Sequence, residues 1–447
     1  MAWSSIWSHF SNSPSVPLLT VGVLSLVWYV TSILNDKRPP FPWIRLPLIG
    51  NIISLQFSKE KAFVLFYKTS KKPEYDKVFM IKIGGLEFCV INHIELAREA
   101  LMKKQVDFAD RLPIYSLMEI SQGGKSIALG QNFASGEKLE NVVQKVTNQA
   151  IDLLKGKGNE AFVIKPVLEL VQFNIFTGLL FGKEYDFDDP EFKQFMNATR
   201  DALDAFGSGL AADVFPWLRF FPFQSSGLKR LKHMINIFLE LMEKELKEHK
   251  ETFDAAGLDT INASLQFAIA EVIMHSDVQE KLATEVDKVL GSRTPARSDR
   301  VKLSYTEAFL CEVFRKETFA VFGVPLATTC DTTIGKYELP KGTGVLINFW
   351  ALHHDPDFWE NPSEFRPERF LQDNGELAPR PDSFLPFSAG KRVCLGENMA
   401  KSMLMIILPT LFQQLKFIKP DSFEFSYEDS GLANIAKPYK VCVEMRN

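Results

Sequence analysis

The distribution of apolar positions predicts a body made mostly of helices, with small β-sheets. Apolar residues recur at helical spacing along several long stretches: Glu95–Lys104, Glu137–Lys155, Leu228–Lys250, Asp254–His275 and Glu397–Leu415. Phe79–Ile91 instead alternates and contains a Gly-Gly pair, which predicts a β-hairpin. Shorter β-like segments follow at Thr332–Tyr337, Gly344–Ile347 and Val441–Glu444.

One apolar run near the N-terminus is long enough to cross a membrane. Val16–Leu34 carries no charged residue, and Trp28 and Tyr29 lie near one end of it, as interfacial aromatic residues tend to do. No Lys or Arg precedes the run, whereas Lys37 and Arg38 follow it. The positive-inside rule therefore predicts a single-pass anchor with the rest of the chain in the cytosol. A cleaved signal peptide is the alternative, but its basic leader and small-residue cleavage site are missing.

Prolines mark the boundary between this anchor and the body of the chain. Pro39, Pro40 and Pro42 fix φ and exclude helix, so we expect a stiff, extended connection. We therefore predict a membrane anchor at residues 1–36, a proline-rich hinge at 37–51 and one large domain at 52–447.

Composition narrows the class of protein. The chain has 447 residues, 46% of them hydrophobic, which is ample for a sizeable core and an apolar ligand pocket. Its formal net charge of −4 gives no reason to expect a nucleic-acid partner. The 5 cysteines are scattered and odd in number, which argues against a disulfide framework or a zinc site and favours a reducing compartment. The adjacent His353 and His354 do not indicate a metal site, because neighbouring side chains diverge.

The most informative segment is Phe387-Ser388-Ala389-Gly390-Lys391-Arg392-Val393-Cys394-Leu395-Gly396. Gly390 and Gly396 permit backbone geometry and close approach that a side chain would block. Arg392 supplies a cation two residues before the sulfur of Cys394. A helix that starts just after Cys394 would direct its positive end towards the sulfur and favour the thiolate. The segment therefore predicts a loop that presents one thiolate to a metal; a buried structural cysteine is the alternative.

This segment resembles, at every fixed position, the haem-binding signature of the cytochrome P-450 family, Phe-x-x-Gly-x-Arg-x-Cys-x-Gly. The resemblance implies that family's fold, mainly α with small β-sheets, formed by a single large catalytic domain. It also implies haem b as cofactor and Cys394 as the axial iron ligand, whose thiolate favours O–O cleavage. Phe387, Gly390, Arg392 and Gly396 would line the cofactor.

A second motif, Ala256-Gly257-Leu258-Asp259-Thr260, lies within a helical stretch and resembles the family's oxygen-activation motif. A helical glycine costs about 1 kcal/mol relative to alanine, a cost that a gap for dioxygen beside Ala256 and Gly257 would justify. Thr260 and Asp259 would relay protons to the distal oxygen. The alternative is an ordinary helix glycine beside a solvated aspartate.

A third pattern combines Glu312-Val313-Phe314-Arg315 with Phe365-Arg366-Pro367-Glu368-Arg369-Phe370. Glu312 and Arg315 lie three residues apart on one helix face, where an exposed pair would contribute little. The resemblance implies instead that Glu312, Arg315 and Arg369 form the family's buried structural triad. Removing one member would leave a buried charge unpaired.

The chain also departs from the family's pattern. Arg111 falls where relatives contact a haem propionate, but Leu326 replaces the propionate-binding His or Arg that usually follows the proline. No Trp-x-x-x-Arg follows Gly130, although relatives grip the propionates with such a helix. The chain also passes from Phe253 directly to Asp254, without the first half of the oxygen-binding helix. Two internal segments are therefore predicted to be missing.

Together these features predict a membrane-anchored haem-thiolate monooxygenase of the animal microsomal type, which includes steroid 17-hydroxylases and xenobiotic-metabolising families. It would hydroxylate an apolar steroid or xenobiotic at the endoplasmic reticulum membrane, with the catalytic domain cytosolic. Electrons would come from NADPH through the cytochrome reductase, with cytochrome b5 as a second possible partner. Lys391, Arg392 and Lys401 would form a basic face for an acidic reductase. The alternative is a truncated, non-catalytic isoform that binds haem weakly and competes for the reductase.

Overall fold

The computed structural model describes residues 36–114, 137–207 and 256–446, except positions 44, 45, 47, 76, 158, 159, 182, 183, 187 and 429–432. It also describes isolated positions between 20 and 31 and between 229 and 240. Among these residues no helix is both long and apolar enough to span a lipid bilayer. Apart from isolated positions, the predicted anchor at 16–34 and the predicted helix Leu228–Lys250 lie outside the described residues, so both stay predictions.

The predicted hairpin forms the edge of a mixed five-stranded sheet. β1 (Val78–Ile83) pairs antiparallel with β2 (Leu86–Ile91), with Val78 opposite Ile91 and Ile83 opposite Leu86. The remaining strands are β3 (Asp110–Arg111), β5 (Leu326–Ala327) and β8 (Gly344–Ile347), in the order β1-β2-β8-β5-β3. Because β8 runs parallel to β2 and is buried along its length, its sequence is a continuous run of small and apolar residues.

Two smaller sheets complete the β-structure. β4 (Phe162–Val163), β10 (Lys440–Met445) and β9 (Leu415–Ile418) form one sheet in that order, so the C-terminal strand pairs with two distant segments. β6 (Thr332–Ile334) and β7 (Tyr337–Leu339) form a separate hairpin around Gly335, which adopts a positive φ of 55°. The β-like segments Gly344–Ile347 and Val441–Glu444 are confirmed within strands, whereas Thr332–Tyr337 is not one strand but β6, a turn and the first residue of β7.

Helices are the most abundant regular elements of the described body. They are α1 (Ile52–Gln56), α2 (Ala62–Ser70), α3 (Ile94–Arg98), α4 (Glu137–Lys155), α5 (Lys165–Phe181), α6 (Pro190–Gly207), α7 (Ala256–Met274), α8 (Ser276–Leu290), α9 (Ser304–Glu317), α10 (Phe349–His354) and α11 (Glu397–Gln414). Short 3₁₀ turns lie at Pro73–Tyr75, Arg297–Lys302, Pro367–Phe370 and Gly390–Arg392. The expected mainly helical architecture with small sheets is confirmed.

The main core forms where α7 and α11 pack among the other long helices. Residues of α7 from Ile261 to Ile273 are almost all buried, and α11 is buried from Lys401 to Phe412. α4 and α5, which contact each other and α11 or α7, close the core on one side. Because α7 and α11 are apolar on most of their faces, they lie inside the domain and cannot be surface helices.

One predicted helix is interrupted. Glu95–Lys104 is helical, but the α-helix stops at Arg98 and a π-helical turn follows over Glu99–Lys103. The turn closes with the Lys104 amide donating to the Glu99 carbonyl, 2.8 Å away. π-helical turns widen the backbone and recur at functional sites. The contact that this one makes is described below.

The predicted hinge is attached to the sheet over much of its length. The Met80 amide donates to the Pro40 carbonyl, and the Asn51 side chain accepts the Lys82 amide at 2.8 Å. Arg38 pairs with Asp36 and Glu87. These bonds hold the described residues of 36–51 against β1 and β2, and Leu46 and Gly50 close a turn within the segment through two backbone hydrogen bonds. The division into 1–36, 37–51 and 52–447 stays a prediction.

A buried carboxyl pair links α7 to the end of α9. Glu271 is fully buried and lies 2.7 Å from Lys316 Nζ and 3.2 Å from His275 Nδ1. Glu317 is also buried, accepts the Tyr427 hydroxyl at 2.8 Å and lies within hydrogen-bonding reach of Glu271. Burial, and then the charge of Glu271, raise the pKa of Glu317 well above its ordinary range. We therefore expect the pair to share one proton, with Glu317 as the group that holds it.

We expect Glu317→Gln to weaken the pH dependence of folding stability. A carboxyl group whose pKa is raised by folding binds its proton more tightly in the native state than in the unfolded chain. Wild-type stability should therefore fall as the pH rises from the ordinary value of 4.5 towards the raised value. The glutamine amide would donate to Glu271 in place of that proton, so the free energy of unfolding of the variant should change less.

Urea unfolding between about pH 5 and about pH 8 measures this difference. Glu280→Gln, an exposed change on α8, is the matched control and should leave the wild-type pH profile intact. His275 titrates in all three proteins, so it does not create the difference. Equal pH slopes for wild type and Glu317→Gln would show that Glu317 is ionised in the folded state.

Candidate functional site

The segment that contains Cys394 is a loop between the 3₁₀ turn Gly390–Arg392 and helix α11. The Cys394 amide donates to the Phe387 carbonyl at 2.8 Å, which closes the loop on itself. The side chain of Cys394 is exposed. An exposed thiol on a closed loop is accessible to a metal, whereas the alternative of a buried structural cysteine does not describe this residue.

Gly390 is required by two independent features of the loop. Its φ is +66°, a region that disfavours residues with a side chain. A Cβ atom there would lie 1.8 Å from the carbonyl oxygen of Leu101, which belongs to the π-helical turn after α3. The loop is therefore packed directly against that turn. This contact also gives the turn a role, because the turn supplies the backbone surface on which the loop rests.

Gly396 differs from Gly390. It caps α11 with a φ of −81°, which any residue can adopt. A Cβ there would lie 3.8 Å from Cys394 Sγ, an ordinary van der Waals distance. The expectation that both glycines provide unusual backbone geometry therefore holds for Gly390 and fails for Gly396, whose smallness instead leaves room beside the sulfur.

Helix α11 begins at Glu397, just after Cys394, as the sequence predicts. Its first turn follows Cys394 by three residues in the sequence. A helix N-terminus favours nearby negative charge, so it would favour the thiolate. Lys401, one turn further, is only 7% exposed, pairs with Glu397 and lies over the Phe387 ring at 5.0 Å. The expectation of Lys401 on an exposed basic face is therefore wrong; Lys391 and Arg392 are the exposed cations.

Two arginines near the loop, Arg392 and Arg111, interact electrostatically. Arg392 donates through Nε to the Ala109 carbonyl, and Arg111 on β3 donates through Nη1 to the Val324 carbonyl at 2.9 Å. Desolvation by surrounding atoms, and then the charge of Arg392, lower the pKa of Arg111 to about 10. Within the described ranges neither group pairs with a carboxylate. The two cations would therefore be stabilised by an added anion.

Leu326 lies opposite Arg111 in the β3–β5 register but does not add to this site. Its side chain is buried in the cluster that contains Phe108, Val345 and Ile347. Because the leucine side chain is apolar and buried, it gives an anion no further hydrogen-bond donor.

The oxygen-activation motif forms the first described turn of α7. Thr260 is exposed there, and its carbonyl accepts the Ser264 hydroxyl at 2.8 Å. The backbone of Ala256, Gly257 and Asp259 is helical, but their side chains lie outside the described residues. The segment 131–136, at the first predicted gap, lies outside them as well.

The structure brings Glu312, Arg315 and Arg369 together in one buried network. Arg315 Nε and Nη2 each lie 2.8 Å from a Glu312 oxygen, and Arg369 Nε donates to Glu312 at 3.0 Å. The remaining Arg315 protons go to the carbonyls of His353, Pro362 and Glu364. All five N–H donors of Arg315 are therefore satisfied, and this is the condition under which a buried charge is tolerated.

Two buried groups near this network carry interactions that the sequence patterns did not indicate. His353 lies between α9 and the Cys394 loop, and Glu317 forms the carboxyl pair with Glu271. The adjacent histidines were a visible signal at positions 353 and 354, but no periodicity shows which of the two faces inward.

Comparison with known proteins finds one family and several relatives. The sequence profile of the family described as Cytochrome P-450 matches residues 39–256 and 252–443. The steroid 17-alpha-hydroxylase/17,20 lyase of Oryzias latipes is 28% identical, over 96% of this chain and 95% of that protein. Cytochrome P-450 1A1 of Rattus norvegicus is 29% identical, over 85% and 84% of the two chains, and cytochrome P-450 1A2 of Homo sapiens is 28% identical, over 91% and 93%.

The comparisons also bear on the predicted gaps. The profile matches in two pieces that meet at residues 252–256, the position where the sequence predicts a missing segment. The alignment with the Oryzias protein extends over 497 positions, more than the 447 residues of this chain. Some positions of that relative therefore lie opposite gaps in this chain.

Glu312→Gln should destabilise the fold strongly. The amide would leave Arg315 and Arg369 without their shared carboxylate, and breaking a buried ion pair costs about 3–5 kcal/mol. Urea unfolding measures the change in the free energy of unfolding. Glu360→Gln is the matched control: its side chain pairs with Arg366 at the surface, so we expect no measurable change. Equal stability of the two variants would contradict a structural role for the triad.

Proposed function

Because the chain belongs to the cytochrome P-450 family, whose members are monooxygenases, we propose that it is a haem-thiolate monooxygenase acting on an apolar small molecule. The observation that carries the proposal is the exposed Cys394 thiol, on a loop held against the turn after α3 and directly before α11. Such a loop can offer a thiolate to a metal without rearrangement of its backbone.

The residues around Cys394 fit haem b. Cys394 would ligate the iron, and Arg111 and Arg392 would hold the propionate carboxylates, since two electrostatically coupled guanidinium groups favour an anion. Phe387, Gly390 and Gly396 would lie along the cofactor on the thiolate side. Haem, when bound, supplies the iron that activates dioxygen.

The side chains at the start of α7 would manage protons. Thr260 is exposed at the first described turn, so its hydroxyl would donate a proton towards dioxygen and recover one from Asp259. Asp259 would supply that proton from its carboxyl group. Ala256 and Gly257 would leave space beside these groups, because neither carries a bulky side chain.

The sequence and the relatives also support a proposal about the membrane, the electron donors and the substrate of the enzyme. Val16–Leu34 would anchor the chain in the endoplasmic reticulum membrane, with the catalytic domain in the cytosol. NADPH-cytochrome reductase would supply electrons, and cytochrome b5 would be an additional donor. Lys391 and Arg392 would contribute to an exposed basic surface for such acidic partners. The substrate would be a steroid or an apolar xenobiotic. The name of one relative, a steroid hydroxylase, supports the steroid.

Cys394→Ser tests the proposal most directly. We expect the reduced wild-type protein, supplied with haem and carbon monoxide, to show the Soret band of thiolate-ligated iron, and the variant to lose it. Cys330→Ser is the matched control, because Cys330 is also exposed but lies on another loop. Survival of the band in Cys394→Ser would refute the ligand assignment. If the band appears in wild type, reductase-supported oxidation of a steroid and polycyclic panel then tests the activity.

A second proposal rests on the interrupted match. The profile divides at residues 252–256, and Leu326 is apolar where the family carries a propionate partner. The chain would then be a truncated, non-catalytic isoform that binds haem weakly and competes for the reductase. Each missing charge-assisted hydrogen bond would weaken haem binding by about 1.5–3 kcal/mol.

The strength of haem binding separates the two proposals. The weak-binding isoform predicts a thiolate band only while haem is in excess, and its loss when unbound haem is removed by gel filtration. The enzyme predicts a band that persists after the column. Titration of the haem-free protein with haem gives the dissociation constant, and retention of one haem per chain would exclude the second proposal.

A further inference from the structure

His353 occupies a position between the buried triad and the Cys394 loop. It lies in the last turn of α10 and is completely buried. On one side it faces the end of α9, and on the other the segment that leads into the loop. Neither the family match nor the proposed chemistry assigns a role to this side chain.

The hydrogen bonds of His353 fix its tautomer. The Leu385 backbone amide lies 3.1 Å from Nε2, and because an amide can only donate, Nε2 must be the unprotonated acceptor. The ring proton therefore resides on Nδ1, which lies 2.9 Å from the Thr318 hydroxyl oxygen. That hydroxyl in turn donates to the Arg315 carbonyl at 2.6 Å. One directed chain runs from Leu385 through His353 and Thr318 to Arg315.

The ring cannot carry a second proton without breaking this chain. An imidazolium would present N–H at Nε2 to the N–H of Leu385. Burial, and then the charges of His354 and Arg315, lower the pKa of His353 well below its ordinary value. Phe384, whose ring centroid lies 5.8 Å away, adds no polar group. The surroundings from α9, α10 and the loop thus all favour the neutral ring.

Leu385 connects this chain of bonds to the sulfur. Its carbonyl accepts the Ser388 amide at 3.1 Å, and the Phe387 carbonyl accepts the Cys394 amide at 2.8 Å. The Phe387 ring also packs edge-on against Phe314 of α9, with centroids 5.2 Å apart. The first residues of the loop are therefore attached to α9 at two points, and His353 supplies the polar one.

We propose that His353 is a positioning residue for Cys394: its neutral, Nδ1-protonated ring fixes the start of the thiolate loop on the buried Glu312–Arg315 network. The proposal rests on the proposed role of Cys394 as the metal ligand. In this role His353 need not touch a cofactor or a substrate. It acts by holding the Leu385 amide, from which the loop runs to Cys394.

Two substitutions of His353 distinguish the effect of its hydrogen bond to Thr318 from that of its hydrogen bond to Leu385. His353→Asn keeps a donor near Thr318 but removes the acceptor for Leu385. His353→Gln places a carbonyl oxygen further out, where it replaces Nε2 as that acceptor. His354→Asn is the matched control, because the neighbouring ring hydrogen-bonds to the Trp350 carbonyl and stacks on Trp350, away from the loop.

The first readout is the carbon monoxide difference spectrum of the haem-loaded chain. We expect His353→Asn to lower the fraction of iron in the thiolate-ligated form about fivefold or more, since an unsatisfied buried amide strongly disfavours the loop conformation. His353→Gln should recover part of the loss, and His354→Asn should match wild type. Equal thiolate fractions in His353→Asn and His354→Asn would overturn the proposal.

The second readout needs no haem. The rate of Cys394 alkylation by iodoacetamide, followed by peptide mass spectrometry as a function of pH, reports the environment of the thiol, with Cys330 as internal reference. We expect the pH profile of Cys394 to shift in His353→Asn while that of Cys330 stays fixed. Unshifted profiles for both cysteines would also overturn the proposal. A haem-free shift without any wild-type thiolate band would support positioning while refuting the proposed function.

Thr318→Val provides a variant of a different kind if His353→Asn does not fold. Removing the Thr318 acceptor frees the ring to place its proton on Nε2, which would break the bond to Leu385 without changing His353. We expect the same direction of change in both readouts, with smaller size. No change in either readout for a folded Thr318→Val would contradict the assigned tautomer chain.

Discussion

The fold depends on the buried carboxylate of Glu312. It accepts hydrogen bonds from Arg315, from Arg369 and from the backbone amide of Arg366. The other N–H groups of Arg315 donate to three backbone carbonyls. A buried ion pair is tolerated only when every donor and acceptor is satisfied, and this network meets that condition through its backbone partners. Residues 353–370 have no long element of their own beyond the end of α10, so these bonds attach them to α9.

This network and one close backbone contact hold the Cys394 loop in position. His353 and Phe314 hold its first residues on α9, and Gly390 packs against the carbonyl of Leu101. The sulfur is thus placed by contacts with α9, α10 and the turn after α3, although it lies on an irregular segment. A rigid scaffold carrying a reactive group on a short loop is the usual arrangement for catalytic and binding residues.

Three cationic side chains lie on or near the same loop. Arg111 and Arg392 lie close enough for one to lower the pKa of the other, while Lys401 is neutralised by Glu397 and covered by Phe387. An arrangement with two adjacent cations is unfavourable by itself and becomes favourable with a bound anion. The charges of Arg111 and Arg392 would therefore favour a bound anion.

The sequence by itself determined much of this protein. Helical periodicity closely predicted the bounds of α4 and α11, and alternation predicted the β1–β2 hairpin. One ten-residue motif indicated the family. These features depend on local spacing or on chemistry that tolerates few substitutions, so they can be read from the chain. The resemblance to the family, and not the spacing, indicated that Glu312, Arg315 and Arg369 would meet.

Only the tertiary structure decided the rest, because those features arise between segments far apart in sequence. The π-helical turn after Arg98 meets Gly390 across the fold, so the helical pattern of Glu95–Lys104 could not show where the α-helix stops. Burial of Lys401, the proton on Glu317 and the tautomer of His353 depend on neighbours that no periodicity reveals. Local sequence fixes which groups are present, and long-range packing fixes their solvation and hence their charge.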